Sequence, residues 1–184
     1  MRTPAPGDSG LAAEVPRDVA VVINRWRRIR LPDHPQIAPH VTVAYPPFVP
    51  EEDWLLLRLA VAECLQAFQP FQVTLTEPGA FAGEPHVLWL KPEDGGRFSR
   101  IREALTERLT DYFPPLPWEY VPHVTIGPFD TQAALAQARQ LVESEWRPMR
   151  FEVSELVYAV LLADGTYRIA DRVTLGRAEQ ASAI

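Results

Sequence analysis

The sequence predicts an α+β domain built from two pseudo-symmetric lobes, and three observations carry that prediction. The segment Pro39-His40-Val41-Thr42-Val43 recurs as Pro122-His123-Val124-Thr125-Ile126, 83 residues further on. Each copy runs on into proline and phenylalanine, Pro46-Pro47-Phe48 after the first and Pro128-Phe129 after the second. No local requirement acts over such a separation, so the copies read as equivalent parts of two halves. Strand-period and helix-period runs also alternate, and each copy is followed directly by a helical run. Finally, 184 residues suit one packed domain. No linker composition divides the halves, so a single bilobal domain is expected over 18–176. Residues 1–17, rich in Pro, Gly and small side chains, read as a flexible leader, and 177–184 as a loose tail.

The elements follow in order. The β-branched run 18–24 (DVAVVIN) predicts a central strand. Little helix-like sequence then separates it from the first motif strand, 40–45. Residues 51–68 carry Trp54, Leu57, Val61, Leu65 and Phe68 on one helical stripe, with Glu51, Glu52 and Asp53 favouring the N-terminal turn. Cys64 shares that stripe and reads as a small core residue. Strands are expected at 71–76 and 86–90, with the turn-rich EPGAFAGEP between them. A helix over 97–112 would bury Phe98, Ile101, Leu105 and Leu109. The proline-rich bend 114–117 precedes the second motif strand, 120–127. A third helix is expected at 131–145 with Thr131 as its cap. Residues 151–162 and 166–175 read as a closing hairpin around Asp164-Gly165, a strong turn dipeptide.

In a strand, residues i and i+2 share a face, so each motif sets its histidine and threonine on one side, about 6.5–7 Å apart. Val41 and Val43, and Val124 and Ile126, turn the other way into a core. The prolines push Ala38 and Val121 toward extended geometry. Each copy thus offers one titratable ring and one hydroxyl on an apolar backing. Hydrophobic content of 47% and charged content of 23% are those of an ordinary soluble globular protein. No stretch reaches the length of a membrane span, and no apolar signal-peptide core is evident. One cysteine excludes an internal disulfide and fits a reducing cytoplasm. A net charge of −6 argues against a surface built to grip long nucleic acid.

The paired motif resembles that of the two-histidine (2H) phosphoesterase superfamily, in particular its 2′-5′ RNA ligase-like, RNA 2′,3′-cyclic phosphodiesterase branch. That signature is two His-x-Thr/Ser-x motifs with hydrophobic x, matched here by His40-Val41-Thr42-Val43 and His123-Val124-Thr125-Ile126 without substitution at the defining positions. Ile29-Arg30-Leu31-Pro32 and the closing strands through Gly176 are also similar, and the resemblance spans roughly 19–176. It implies that each lobe is an antiparallel-rich sheet with helices on its outer side, and that a cleft lies between the lobes. It further implies that His40 and His123 are catalytic and that Thr42 and Thr125 bind phosphate. The expected activity is metal-independent hydrolysis of a cyclic phosphodiester, whose reversal would make a 2′-5′ linkage. No cofactor is called for, and a monomer is expected.

The chemistry is coherent apart from the resemblance. Opening a cyclic phosphodiester needs a base for the attacking water and an acid for the departing sugar oxygen. Imidazole titrates near pH ~6.5, so one ring can serve in each form at neutral pH. Threonine hydroxyls can donate to non-bridging phosphate oxygens where charge builds. For substrate contact the candidates are Arg30, within a basic patch with Arg25, Arg27 and Arg28, and the aromatics Tyr45, Phe48 and Phe129. Trp89 is compatible with either face of its strand. An RNA 2′,3′-cyclic end, a cyclic mononucleotide, an ADP-ribose cyclic phosphate and a 2′-5′ oligonucleotide all remain open as substrates. Two rival readings exist: a zinc site on His40 and His123 with His34 or His86, and a nucleotide or RNA-end binding module without turnover. The zinc reading lacks the usual ligand spacings.

Overall fold

A computed structural model describes residues 2–30, 37–81, 83 and 85–176, without the side chains of residues 29 and 30. The chain forms β1 (Ser9–Glu14), α1 (Arg17–Arg30), β2 (His40–Ala44), α2 (Glu51–Gln66), β3 (Phe71–Phe81) and β4 (His86–Glu93). There follow α3 (Arg97–Arg108), a 3-10 turn (Thr110–Tyr112), β5 (Val124–Phe129), α4 (Gln132–Glu145), β6 (Met149–Val153), β7 (Glu155–Leu161) and β8 (Tyr167–Thr174). All eight strands join one antiparallel sheet in the order β6-β3-β4-β5-β2-β1-β7-β8. The α+β class and the two-lobed plan are therefore as expected. Each lobe is a four-stranded half-sheet, and the two motif strands, β2 and β5, are the innermost strand of each. The join between halves is narrow, a single registered pair, Val41 opposite Val124.

Helices cover the face to which Val41, Val124, Leu88 and Leu90 point, all fully buried. Helix α4 packs on β3, β4 and β5, α1 on β5, α3 on β2, and α2 on β8 and α3. The stripe on α2 is as read, with Trp54, Val61 and Leu65 buried and Leu57 and Phe68 partly so. Trp54 stacks on Tyr158 with ring centroids 3.9 Å apart, which ties α2 to β7. Thr131 caps α4, its hydroxyl accepting from the Ala134 amide at 3.2 Å. Gly165 takes φ 81° in the closing hairpin, a conformation that glycine adopts without the steric cost of a Cβ.

Several expectations need correction. Residues 18–24 are not a strand but the start of α1. Read to its end, this segment places Val19, Ile23 and Trp26 at i, i+4 and i+7, and those three are buried. Val21, at 56% exposure, faces out. Burial of the helical stripe against β5 overrides the β-propensity of the valines. A full helix consequently separates the first strand from the first motif. The first strand is instead β1, formed by residues 9–14 of the expected leader. Its alanines and glycine carry little strand propensity, and pairing with β2 and β7 on either side holds it. Residues 151–162 are two strands: the chain breaks at Ser154, β6 pairing with β3 and β7 with β1 and β8. The second motif strand starts at Val124, so His123 stands just before it.

Candidate active site

Each motif is bulged at the same place. Between β1 and β2, Leu11 pairs with Ala44 and Ala12 with Thr42, which leaves Val43 as the extra residue. Between β4 and β5, Leu88 pairs with Gly127 and Trp89 with Thr125, which leaves Ile126 extra. The last position of the motif is thus an unpaired, buried residue in both lobes. Bulges end regular pairing and re-aim the strand, and here they accompany the splitting of β2 from β5. Continuing the Val41–Val124 register by one residue each way sets His40 against Thr125 and Thr42 against His123. The valines face the core, so all four polar groups lie on the opposite, open face, arranged about the pseudo-twofold axis.

The two imidazoles are held alike. His40 Nδ1 lies 2.7 Å from the Ala38 carbonyl oxygen, and His123 Nδ1 lies 2.8 Å from that of Val121. A carbonyl only accepts, so Nδ1 must donate in each ring. The neutral ring then carries its lone pair on Nε2, the nitrogen left to accept or deliver a proton. Burial pushes the pKa of both histidines down, while the carbonyl bond partly opposes it. His40 is further lowered by the charges of Arg27 and His123 and raised by Glu14. That the charge of His123 reaches His40 is in keeping with a shared cleft. Without a bound anion the pair favours the neutral form. A phosphate monoanion between the rings would favour imidazolium in one of them.

Where the strands part, their carbonyls lose ladder partners, and side chains take over. Arg27 of α1 donates to the Thr125 carbonyl from Nε at 3.1 Å and Nη2 at 2.7 Å, and to the Ile37 carbonyl from Nη1 at 2.5 Å. Its burial lowers its pKa to about 10. Arg102 of α3 mirrors it, donating to the Val43 carbonyl at 2.6 Å, while Tyr120 Oη donates to the Thr42 carbonyl at 2.8 Å. The Arg102 guanidinium lies over the rings of Tyr120, Phe113 and Tyr45 at 4.9, 5.1 and 5.7 Å from their centroids. One arginine from each of two helices thus fastens the motif strand on which that helix packs. Arg27 belongs to the basic patch of the sequence, but it faces inward, whereas Arg25 and Arg28 are exposed.

The remaining candidates separate. Tyr45 is half-buried, edge-on to Tyr120 and under Arg102. Phe48 is 4% exposed and packs against Phe113, so it belongs to the core and offers no surface to a ligand. Phe129 is turned off the histidine face by the bulge at Ile126 and sits opposite His86, against the core. Strict alternation from Thr125 would have put it on the open face. The side chain of Arg30 and the whole of His34 lie outside the described residues. The aromatics that do meet a motif are Phe81, edge-on to the His123 ring at 5.0 Å, and Trp89, 6.0 Å from it. Pairing of Trp89 with Thr125 puts it on the open face. Neither Phe81 nor Arg102 carries a sequence signal, because strands and helices far apart in the chain bring them in. Among the described residues no three His, Cys, Asp or Glu side chains cluster as a metal site would need.

With this geometry in view, the sequence model of the 2′-5′ RNA ligase superfamily matches residues 15–165. No curated protein sequence is significantly similar to the chain. Among solved structures, Escherichia coli LigT in its apo form superposes with a TM-score of 0.68 at 21% identity, covering 94% of this chain and 99% of that one. TT0787 of Thermus thermophilus gives 0.67 at 21%, covering 92% and 98%. Usb1 of Kluyveromyces marxianus gives 0.52 at 14%, covering 93% and 98%. LigT has also been solved in complex with 3′-AMP, with NADP+ and with phosphate. These likenesses show the fold. Among the described residues, no helix is long and apolar enough to cross a membrane.

Proposed function

The chain belongs to the 2′-5′ RNA ligase superfamily, and we propose that it hydrolyses a cyclic phosphodiester by paired-histidine acid–base catalysis, without a metal. The observation that carries this reading is the matched pair of imidazoles, each fixed at Nδ1 by the carbonyl two residues before it and placed across from the other motif's threonine. A phosphate on the open face would lie between the rings. One Nε2 takes a proton from the attacking water as its oxygen bonds to phosphorus, and the other gives its proton to the sugar oxygen as the P–O bond breaks. Thr42 and Thr125 donate to the non-bridging oxygens, where charge accumulates. The two rings end with their protonation states exchanged, and bulk solvent restores them. With the 5′-hydroxyl of a second sugar attacking phosphorus in place of water and the 3′ oxygen leaving as its P–O bond breaks, the same proton transfers join a 2′-5′ linkage. An RNA 2′,3′-cyclic end or a related small nucleotide is the proposed substrate class, in keeping with the nucleotides that LigT holds.

The test is turnover of a panel of cyclic phosphates by the purified protein, the two single histidine variants and the double variant. His40→Ala and His123→Ala should each lose about 10²–10⁴-fold in kcat. The double variant should lose less than the product, since the rings act as a unit. Full loss of wild-type activity with a chelator and its rescue by zinc would refute the metal-free chemistry. Binding of nucleotides with no turnover of any of them would make the protein a nucleotide-binding module instead.

A further inference from the structure

We propose that the open face of the first half-sheet, beside His40, is a seat for a nucleobase with no counterpart in the second half-sheet. A nucleotide would then enter this pseudo-symmetric cleft in one orientation only. The inference rests on the phosphate-cleft reading above and adds the chemical class bound next to the phosphate. A cavity of about 250 Å³ opens on this face, bounded at one end by His40 and Thr42. Its floor is made by small residues on adjacent strands: Ala12 of β1 beside Thr42, and Gly10 of β1 beside Ala159 of β7. Tyr167 of β8 stands on the far side. From β2 to β8 is three strand spacings, about 14 Å, which leaves room for a ribose and a ring in line with a phosphate held at Thr42.

The second half-sheet closes the matching space with its own side chains. Trp89 of β4 lies over Gly79 of β3 so closely that a Cβ added at Gly79 would come within 2.3 Å of the indole. Phe81 fills the gap between, 5.1 Å from Trp89 and 5.0 Å from His123. Small residues leave the first face open and an aromatic pair shuts the second, so the motifs are symmetric while their surroundings are not. A floor of methyl groups and backbone with a tyrosine beyond it suits a flat, unsaturated ring. Glu14, paired with Arg172 at 2.8 Å, adds an acceptor at the rim.

Calorimetric binding of a nucleoside 3′-monophosphate, ribose 5-phosphate and inorganic phosphate tests the seat without requiring turnover. The wild type should prefer the nucleotide over ribose phosphate by roughly 5- to 150-fold, the worth of one stacked base. Ala159→Leu, which fills the floor, and Tyr167→Ala, which removes the far wall, should each erase most of that preference. Melting curves check that each variant folds, and the two act by opposite changes in volume, so one can stand if the other unfolds. Equal affinity of the wild type for nucleotide and ribose phosphate overturns the proposal and leaves the phosphate cleft standing. So does full preference retained in a folded variant. Failure of the wild type to bind any of the three phosphates overturns the cleft reading and the seat with it.

Discussion

Replacing Arg27 by methionine keeps most of the aliphatic stem and deletes every donor. The buried guanidinium is the partner of two carbonyls, those of Thr125 and Ile37. Left unpaired, each costs about 1–3 kcal/mol, so the variant should lose about 2–6 kcal/mol, with water entry favouring the lower half. Against a typical total of ~5–15 kcal/mol this is a large fraction. At roughly 2–4 °C per kcal/mol for a chain of this size, melting should fall by about 5–20 °C. Arg28→Met is the control, because that side chain is exposed and its one bond among the described residues, to the Asn24 carbonyl, is long at 3.4 Å. It should stay within about 0.5 kcal/mol of wild type. A second effect follows from charge. Arg27 lowers the pKa of His40, so its removal raises that pKa. Whichever limb of the kcat/KM profile His40 governs should move to higher pH. Movement of the acid limb would mark His40 as the base, and movement of the alkaline limb would mark it as the acid. The measurements are a thermal melt and a pH–rate profile for wild type and both variants. An Arg27→Met protein that melts with the Arg28→Met control would refute the strut, and a limb moving to lower pH would refute the electrostatic sign.

Further outcomes test the rest of the site. Thr42→Val and Thr125→Val remove a hydroxyl but keep shape and strand propensity, so each should cost about 2.7–4 kcal/mol in kcat/KM with little change in melting, while Thr→Ser stays near wild type; active valine variants would leave the threonines without a catalytic role. Gly79→Ala drives a methyl into the Trp89 indole and should destabilise by about 1–3 kcal/mol while lowering activity through the His123 side; a silent variant would mean that the indole moves away freely. Both histidines have folded pKa values below the unfolded ~6.5, so the unfolded chain takes up protons first as pH falls. The stability they contribute is present above pH ~6.5 and is lost below it. Denaturant midpoints should therefore drop as pH falls below ~6.5, and His40→Asn/His123→Asn should flatten that slope; an unchanged slope would contradict the buried neutral pair.

The repeated Pro-His-x-Thr-x was decisive at the level of sequence, because period-2 alternation alone puts the histidine and threonine on one face and the valines on the other. The α2 stripe, the Thr131 cap and the Asp164-Gly165 turn were legible for the same kind of reason, each depending on residues within one or two turns of chain. Reading failed wherever neighbours far away in sequence held the vote. Residues 18–24 are helical because β5 offers a surface for Val19, Ile23 and Trp26. Residues 9–14 form a strand because β2 and β7 flank them. Phe129 leaves the histidine face because one extra residue in β5 flips the alternation, and a bulge leaves no trace in composition. The arginine fastenings and the contrast between an open first lobe and a filled second one belong to tertiary structure alone. They follow from which side chains meet across the sheet, Gly10 with Ala159 on one side and Gly79 with Trp89 on the other, and cross-strand pairing is set by register rather than by any local pattern in the chain.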